Sequence, residues 1–370
     1  MEEWKEYKLG EIAEFRTGKL NSNAAVQNGK YPFFTCAPET YYINDYAFDQ
    51  KAILLAGNNA EGNFNIKYYE GKFNAYQRTY IINPVSDAID IHFLYYALQL
   101  CLQQFKLLSQ GTSTKFLTAK ILNAFCIQVP SLSIQKRIAD VIKSLDDKIE
   151  ANRKTNENLE QQAQALFKSW LKNCEDEVTI GDLSLNITDY TKCEQKQVVL
   201  VNSSDVTEGL FEHHNLSENK NLKGHFKKRF QKGDILYSQV RPRNRHWGYC
   251  TFNADNYLAS TQLMVIRNKK GIVPSILLYQ YLIDNNVWMD FTLRTETRSG
   301  TFPQGNYEDL SAIKVPFDTN VKEISGNLEN IYSLIYKNVE LSRRLAELRD
   351  TLLPKLMSGE LKVNEIEDVL

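Results

Sequence analysis

The chain has 370 residues, of which 43% are hydrophobic and 24% are charged, and its formal net charge is −1. This balance is typical of a globular protein with two or three domains. Each domain would be large enough to bury a core without disulfides or structural metal ions. A net charge this small does not by itself indicate a nucleic-acid partner.

The six cysteines are scattered and form no C-x-x-C pair, so neither a zinc site nor a disulfide framework is expected. No apolar run approaches membrane-spanning length, and the charged N-terminus lacks the apolar stretch of a signal peptide. These features predict a cytoplasmic protein with reduced thiols and no membrane partner.

In chain order, the first half begins with a short apolar strand and a glycine turn at residues 7–12. Apolar strands rich in β-branched residues are predicted at 51–55 and 78–82. An amphipathic helical stretch follows at 92–108, and the half closes on the Val-Pro step 129–130.

The second half repeats this order. A strand and glycine turn occupy residues 178–183, apolar strands follow at 233–237 and 262–266, and an amphipathic stretch covers 275–289. The second half also closes on a Val-Pro step, at 315–316. A repeat of this length dictates the architecture and predicts two similar globular domains.

After each Val-Pro step, mostly apolar residues recur at alternating intervals of four and three positions. This spacing places them on one face of a helix and predicts a long coiled-coil helix. The predicted seam of the first helix consists of Ile138, Ile142, Leu145, Ile149, Asn152, Leu159 and Leu166. The predicted seam of the second helix consists of Ile324, Leu328, Ile331, Ile335, Asn338, Leu345 and Leu352.

Each residue of the second seam lies 186 positions after its counterpart in the first. This shared register favours two helices that bury their seams on each other, with Asn152 and Asn338 as polar residues that fix the register. A globular domain precedes each helix, so an antiparallel pair would place the two domains at opposite ends. The alternative is two separate core helices that tolerate asparagine.

Catalytic motifs are missing from the sequence, which has neither a G-x-G-x-x-G nor a G-x-x-x-x-G-K-[ST] phosphate loop. Two carboxylate–lysine sets could in principle hold Mg²⁺. The first set is Asp49, Glu70 and Lys72, and the second is Asp189, Glu194 and Lys196. Because the phosphate loops are missing, we expect no cofactor on this chain. Because of the two carboxylate–lysine sets, a magnesium-dependent nuclease remains an alternative.

Polar loops of the first repeat suit DNA recognition. Asn58, Asn59 and Asn63 lie in a Gly-Asn loop, where asparagine can pair with adenine or simply form a turn. Predicted contacts to guanine or to phosphate are Gln77, Arg78, Thr114 and Lys115.

The second repeat is basic where the first is rich in asparagine. The segment from Lys220 to His246 contains nine lysines and arginines but only one acid, Asp234. If this segment is extended, its three alternate arginines point the same way. The predicted DNA contacts here are Gln239, Arg241, Arg243, Asn244, Arg245 and, further along the chain, Arg298.

Two helix motifs carry a family resemblance. One starts at Val129-Pro130 with Gln135-Lys136-Arg137-Ile138 and continues to Ile149; the other covers residues 348–361. These motifs, with residues 52–57 and 68–74, resemble the specificity subunits of Type I restriction–modification systems. Val321-Lys322-Glu323 departs from the pattern, so the start of the second helix is less typical.

The resemblance implies two target-recognition domains that each read a DNA half-site, and spacer helices that dock two methyltransferase subunits. Motor and restriction subunits would join through the complex. The chain itself would be a non-catalytic subunit, while its partners would use S-adenosylmethionine, ATP and Mg²⁺ to methylate adenine and cleave double-stranded DNA.

The expected fold is α+β, with two mixed α/β target-recognition domains separated by two long helices that form an antiparallel coiled coil in a pseudo-two-fold repeat. The expected boundaries are 1–130 and 176–316 for the domains, 131–175 for the first spacer, and 317–370 for the second spacer and tail. Besides the nuclease, the remaining alternative is a scaffold that binds protein rather than DNA.

Overall fold

The computed structural model describes residues 4–220, 222, 224–297 and 303–367. The chain divides into two compact units. Unit 1 comprises Met1–Ala151 and Leu341–Leu370, and unit 2 comprises Asn152–Glu340. No helix in the described ranges is both long enough and apolar enough to cross a membrane.

Unit 1 contains ten strands and five short α-helices among its described residues. The strands are β1 (Lys5–Lys8), β2 (Ala13–Thr17), β3 (Tyr31–Phe34), β4 (Tyr41–Ile43), β5 (Phe48–Ala56), β6 (Asn58–Asn59), β7 (Ile66–Ala75), β8 (Thr79–Pro84), β9 (Lys115–Phe116) and β10 (Cys126–Val129). The helices are α1 (Leu9–Ile12), α2 (Ile91–Leu100), α3 (Leu102–Leu108), α4 (Ala119–Ala124) and, near the end of the chain, α11 (Asn364–Glu367).

A six-stranded sheet with the order β2-β8-β5-β7-β3-β4 forms the centre of unit 1. Its pairs are antiparallel except for β3 with β7. Ile53 of β5 lies opposite Ile82 of β8, and both are fully buried in the core with α2 and α3. Two short ribbons, β1 with β10 and β6 with β9, complete the unit.

Unit 2 contains twelve strands and four short helices among its described residues. The strands are β11 (Asp176–Thr179), β12 (Ser184–Asn186), β13 (Gln197–Val201), β14 (Val206–Thr207), β15 (Leu210–Phe211), β16 (Leu216–Glu218), β17 (Phe226–Lys228), β18 (Ile235–Ser238), β19 (Trp247–Tyr249), β20 (Tyr257–Ser260), β21 (Leu263–Asn268) and β22 (Lys314–Phe317). The helices are α6 (Ile180–Leu183), α7 (Ser275–Ile283), α8 (Asn285–Glu296) and α9 (Tyr307–Ser311).

The sheet order β12-β21-β18-β19 in unit 2 reproduces β2-β8-β5-β7 in unit 1. Ile235 of β18 lies opposite Ile266 of β21, as Ile53 lies opposite Ile82. A second sheet, β16-β13-β20-β17, is an addition of unit 2 to the frame. The internal repeat predicted from the sequence is therefore present in the pairing of the strands.

The acid in each opening turn has a capping role. Glu11 accepts a hydrogen bond from the Lys8 amide at 3.0 Å at the start of α1. Asp182 accepts one from the Thr179 amide at 2.8 Å at the start of α6. Each carboxylate satisfies an amide at a helix start, which explains why both repeats carry an acid there.

Each amphipathic stretch is two helices rather than one. The first breaks at Cys101 between α2 and α3, and the second breaks at Asp284, whose backbone is extended and whose carboxylate caps α8. A continuous helix was expected because the apolar spacing runs on through both breaks. Burial of Phe105 and Phe291 on the second segments explains why that spacing persists.

Two long helices, α5 (Leu132–Leu171) and α10 (Lys322–Ser358), each contribute one segment to each unit. In unit 1, Arg349 Nη1 of α10 lies 2.7 Å from Asp146 Oδ1 of α5, and Ile138 shares a core with Leu356. From Ile138 to Asp146 along α5, the neighbouring residues on α10 run backwards from Leu356 to Arg349. The two segments therefore run antiparallel.

The same direction holds in unit 2. Asn338 of α10 contacts Asn156 of α5, whereas Phe167, further along α5, lies in a core with Ile324 at the start of α10. Seven residues of the predicted seams are buried: Ile138, Ile142, Leu145, Asn152, Ile324, Leu328 and Ile335. Six are half-buried: Ile149, Leu159, Ile331, Asn338, Leu345 and Leu352.

Leu166 was wrongly predicted to lie in the seam. Its side chain is 38% exposed, while Ala163 and Phe167 are buried. Phe167 packs edge-on against Tyr281 of α7 with ring centroids 5.0 Å apart. Here α5 packs on the globular part of unit 2 as well as on α10, so the buried face lies one residue further on than the heptad predicts.

Candidate DNA interface

In unit 1 the residues predicted to contact DNA lie around the ribbon of β6 and β9. Asn58 pairs with Phe116 and Asn59 pairs with Lys115 across this ribbon. We call residues 57–63, which include β6, the Asn loop. The loop passes close to Lys115, since a Cβ added to Gly62 would lie 3.2 Å from the Lys115 Cγ. Segments far apart in the sequence therefore form one surface.

The asparagines of this loop hold its shape. Asn59 Oδ1 accepts hydrogen bonds from the Glu61 amide at 2.9 Å and the Asn63 amide at 3.0 Å. The exposed Asn63 side chain donates to Glu61 Oε2 at 3.1 Å. Asn58 Oδ1 is buried and has no hydrogen-bond partner among the described residues. Asn59 thus favours the turn interpretation, whereas Asn63 remains accessible.

Arg78 joins the same surface from the turn before β8. Its guanidinium lies 5.2 Å from the centre of the Phe116 ring, and its carbonyl accepts from the Gly57 amide at 2.8 Å. Gln77 is exposed and donates to Asn21 Oδ1 at 2.8 Å. Thr114 is half-buried beside Lys115.

Lys106 of α3 belongs to this surface and was not predicted. Its ammonium donates to Asn63 Oδ1 at 2.6 Å. A signal for it exists in the sequence, because no carboxylate occurs between Asp90 and Asp140, while that stretch carries five lysines and arginines. An acid-free basic stretch of this kind favours contact with phosphates.

In unit 2 the predicted residues form a tight turn, residues 239–245, which we call the basic turn. The expectation of an extended segment with parallel arginines is wrong. Arg241 and Arg245 have left-handed backbone conformations, with φ of 47° and 53°, and Pro242–Asn244 between them is a 3-10 turn. Trp288 fixes this turn by donating from Nε1 to the Pro242 carbonyl at 2.8 Å.

Arg243 and Arg245 contact α8 of unit 2. Arg243 makes a bidentate pair with Glu296 of α8, which raises the pKa of Arg243 and lowers the pKa of Glu296. Its side chain is nevertheless 71% exposed. The Arg245 guanidinium lies 4.2 Å from the Trp288 ring centre, so it braces the turn as well as carrying charge.

The other residues of the basic turn are placed as follows. The Arg241 amide donates to the Pro303 carbonyl at 3.0 Å, and the Gln239 carbonyl accepts from the Gly305 amide at 2.8 Å. Asn244 and Arg241 have exposed side chains, and Gln239 is half-buried. Arg298 lies outside the described residues.

One carboxylate of each carboxylate–lysine set has a partner outside its set. Glu70 lies 3.5 Å from Lys51 on the neighbouring strand, and Asp189 accepts from the Thr191 amide at 2.8 Å. Among the described residues, no group of three or more His, Cys, Asp or Glu side chains could hold a metal ion.

Comparison with known proteins shows which family the chain resembles. Residues 1–161 match the family model of the Type I restriction modification DNA specificity domain. Across 97% of its length the chain is 29% identical to the EcoDI specificity subunit of Escherichia coli and covers 89% of that protein. The chain is therefore similar, over nearly its whole length, to specificity subunits of Type I restriction–modification systems.

Two further proteins are similar to this chain. Identity to the HindI specificity subunit of Haemophilus influenzae is 33% over 48% of this chain and 39% of that protein. The crystal structure of a Type I S subunit from M. genitalium is similar in fold, with a TM-score of 0.63, 17% identity and 96% coverage of both chains. The two mixed α/β domains and the paired long helices of this chain thus have the fold of that S subunit.

Proposed function

We propose that this chain is a specificity subunit of a Type I restriction–modification system and that it reads an asymmetric, two-part site in double-stranded DNA. In this proposal residues 1–130 and 176–316 each bind one half-site, and the helices within 131–175 and 317–370 set the gap between the half-sites. The observation that carries the proposal is one strand frame, repeated, with an Asn loop in unit 1 and a basic turn in unit 2. Two different readers on one frame suit an asymmetric target.

We further propose that the long helices dock methyltransferase subunits, which methylate adenine using S-adenosylmethionine in the cytoplasm. Motor subunits that use ATP and Mg²⁺ would join the assembly. In unit 1, Leu341 and Leu348 of α10 are 40% and 36% exposed and lie seven residues apart. An apolar strip outside the seam supports a helix-binding partner.

Mapping methylated adenines in the host genome, with this gene intact and deleted, tests the proposal. The expected result is one two-part motif with a fixed gap that disappears on deletion. A continuous motif, or methylation that persists without the gene, would contradict it. A DNA affinity that does not fall as salt is added would argue against phosphate contacts and favour a scaffold that binds protein instead.

A further inference from the structure

The end of α3 in unit 1 presents leucines to the solvent. Leu107 is 84% exposed, whereas the next most exposed large apolar residue among those described, Leu293, is 59% exposed. The adjacent Leu108 is 50% exposed. Single exposed leucines are common, but two adjacent ones beside a basic surface call for an explanation.

The contacts of Phe105 and Lys106, which precede Leu107 on α3, fix the direction in which Leu107 points. Phe105 is fully buried, with its ring centroid 4.8 Å from that of Phe125. Lys106 donates to Asn63 of the Asn loop, and its carbonyl accepts from the Ser109 hydroxyl at 2.7 Å. Residues two apart lie about 200° around a helix, so Leu107 points away from the core that holds Phe105.

The surface next to Leu107 along α3 is basic. Lys106, which precedes Leu107, and Lys115 flank Gly62 of the Asn loop, since a Cβ there would lie 3.1 Å and 3.2 Å from their Cγ atoms. Glu61 is the only acid of that loop. An exposed leucine that follows a lysine of this basic surface fits duplex DNA, which offers phosphates and, in the major groove, the C5-methyl of thymine.

We propose that Leu107 is a specificity-determining residue that packs on the C5-methyl group of a thymine in the half-site read by unit 1. The proposal rests on the proposed function, because it assigns one contact within that half-site. If Asn63 faces the major groove, an A·T pair presents both the adenine edge and the thymine methyl in the same groove.

The second repeat supports this assignment independently. Helix α8 follows α7 as α3 follows α2, and its Met289 and Leu293 are 57% and 59% exposed. Glu296, one turn after Leu293, binds Arg243 of the basic turn. The same element of both repeats therefore places uncovered apolar side chains next to a polar loop.

Deoxyuridine, which lacks only the C5-methyl group of thymidine, provides the test. Sites bound by the full chain are first selected from random duplexes, and each thymine of the unit 1 half-site is then replaced by deoxyuridine. One replacement should weaken wild-type binding about fourfold, the factor expected for one buried methyl-sized group. Leu107→Ala should bind thymine and deoxyuridine duplexes equally, whereas the matched variant Leu293→Ala should keep the wild-type sensitivity.

Each other outcome overturns the inference. A half-site without a methyl-sensitive thymine, or Leu107→Ala with undiminished sensitivity, refutes it while specific binding upholds the proposed function. Loss of a co-purifying partner by Leu107→Ala with unchanged DNA binding assigns the leucine to a protein contact. Absence of any sequence-specific DNA binding by the wild type refutes the proposed function together with this contact.

Discussion

Asn338 on α10 donates its side-chain amide to Asn156 Oδ1 on α5 across 2.8 Å. Asn156 in turn donates to the carbonyl of Ile335 at 3.2 Å. Both asparagines are half-buried, and Ile335 is fully buried beside them. A polar pair in an apolar seam is satisfied in only one alignment, so this contact fixes the register of the two helices in unit 2.

Replacing Asn338 by Leu should destabilise the protein. The change leaves Asn156 Oδ1 without its donor, at a cost of about 1 kcal/mol, which lowers the melting temperature by roughly 2–4 °C. The double variant Asn156→Leu/Asn338→Leu should recover the wild-type value or exceed it. Scanning calorimetry measures both, with exposed Lys337→Ala as the control; a double variant that melts below the single one would contradict the register role.

Lys115→Ala should weaken DNA binding by a similar factor for target and non-target duplexes. A phosphate contact carries no sequence information, and its loss should reduce the slope of log affinity against log salt by about one. Fluorescence anisotropy at several salt concentrations measures this slope. Lys72→Ala, on an exposed part of β7, should leave it unchanged, and equal slopes for both variants would remove Lys115 from the interface.

Arginines of the basic turn should separate into two classes. Arg241→Ala and Arg243→Ala should each weaken binding to the selected site about tenfold. Arg243→Ala should change the melting temperature little, because its ion pair with Glu296 lies at the surface. Arg245→Ala should also lower the melting temperature, because its guanidinium packs on Trp288. Anisotropy and calorimetry on the same preparations separate these effects. If none of the three variants altered affinity or specificity, the basic turn would not be a DNA reader.

Lengthening both helices should change the gap and not the bases. One heptad added to α5 after Asn156 and one added to α10 after Asn338 would extend each helix by roughly 10 Å, or about three base pairs. Methylome sequencing of a strain carrying the variant reads the motif directly. Altered half-sites with an unchanged gap would refute the spacer role.

Cysteine alkylation should follow burial and pKa. Burial raises the pKa of Cys101 to about 11 and that of Cys250 to about 12, whereas Cys126 is exposed. Only the thiolate reacts, so iodoacetamide at pH 8 should modify Cys126 first and Cys250 only after unfolding. Peptide mass spectrometry of native and denatured samples checks the order. Equal rates at Cys126 and Cys250 in the native protein would contradict the packing around β19.

Much of the candidate interface could be anticipated from residue type, since asparagine, glutamine and arginine in loops suit base edges and phosphates. What the pattern could not supply was the partner of each side chain. Glu296 lies 53 residues from Arg243, and Lys106 lies 43 residues from Asn63. Such pairs depend on how distant segments fold together.

The sequence by itself determined the repeat, the central strands β5, β8, β18 and β21, and a seam that runs through Ile142 and Leu328. These features are local, because hydrophobic periodicity reports which face of an element is buried. Only the tertiary structure decided that Phe167 replaces Leu166 in the core, that the arginine segment is a tight turn, and that Lys106 joins the Asn loop. Those outcomes are set by contacts between segments that are far apart in the chain, and no spacing within a single element encodes them.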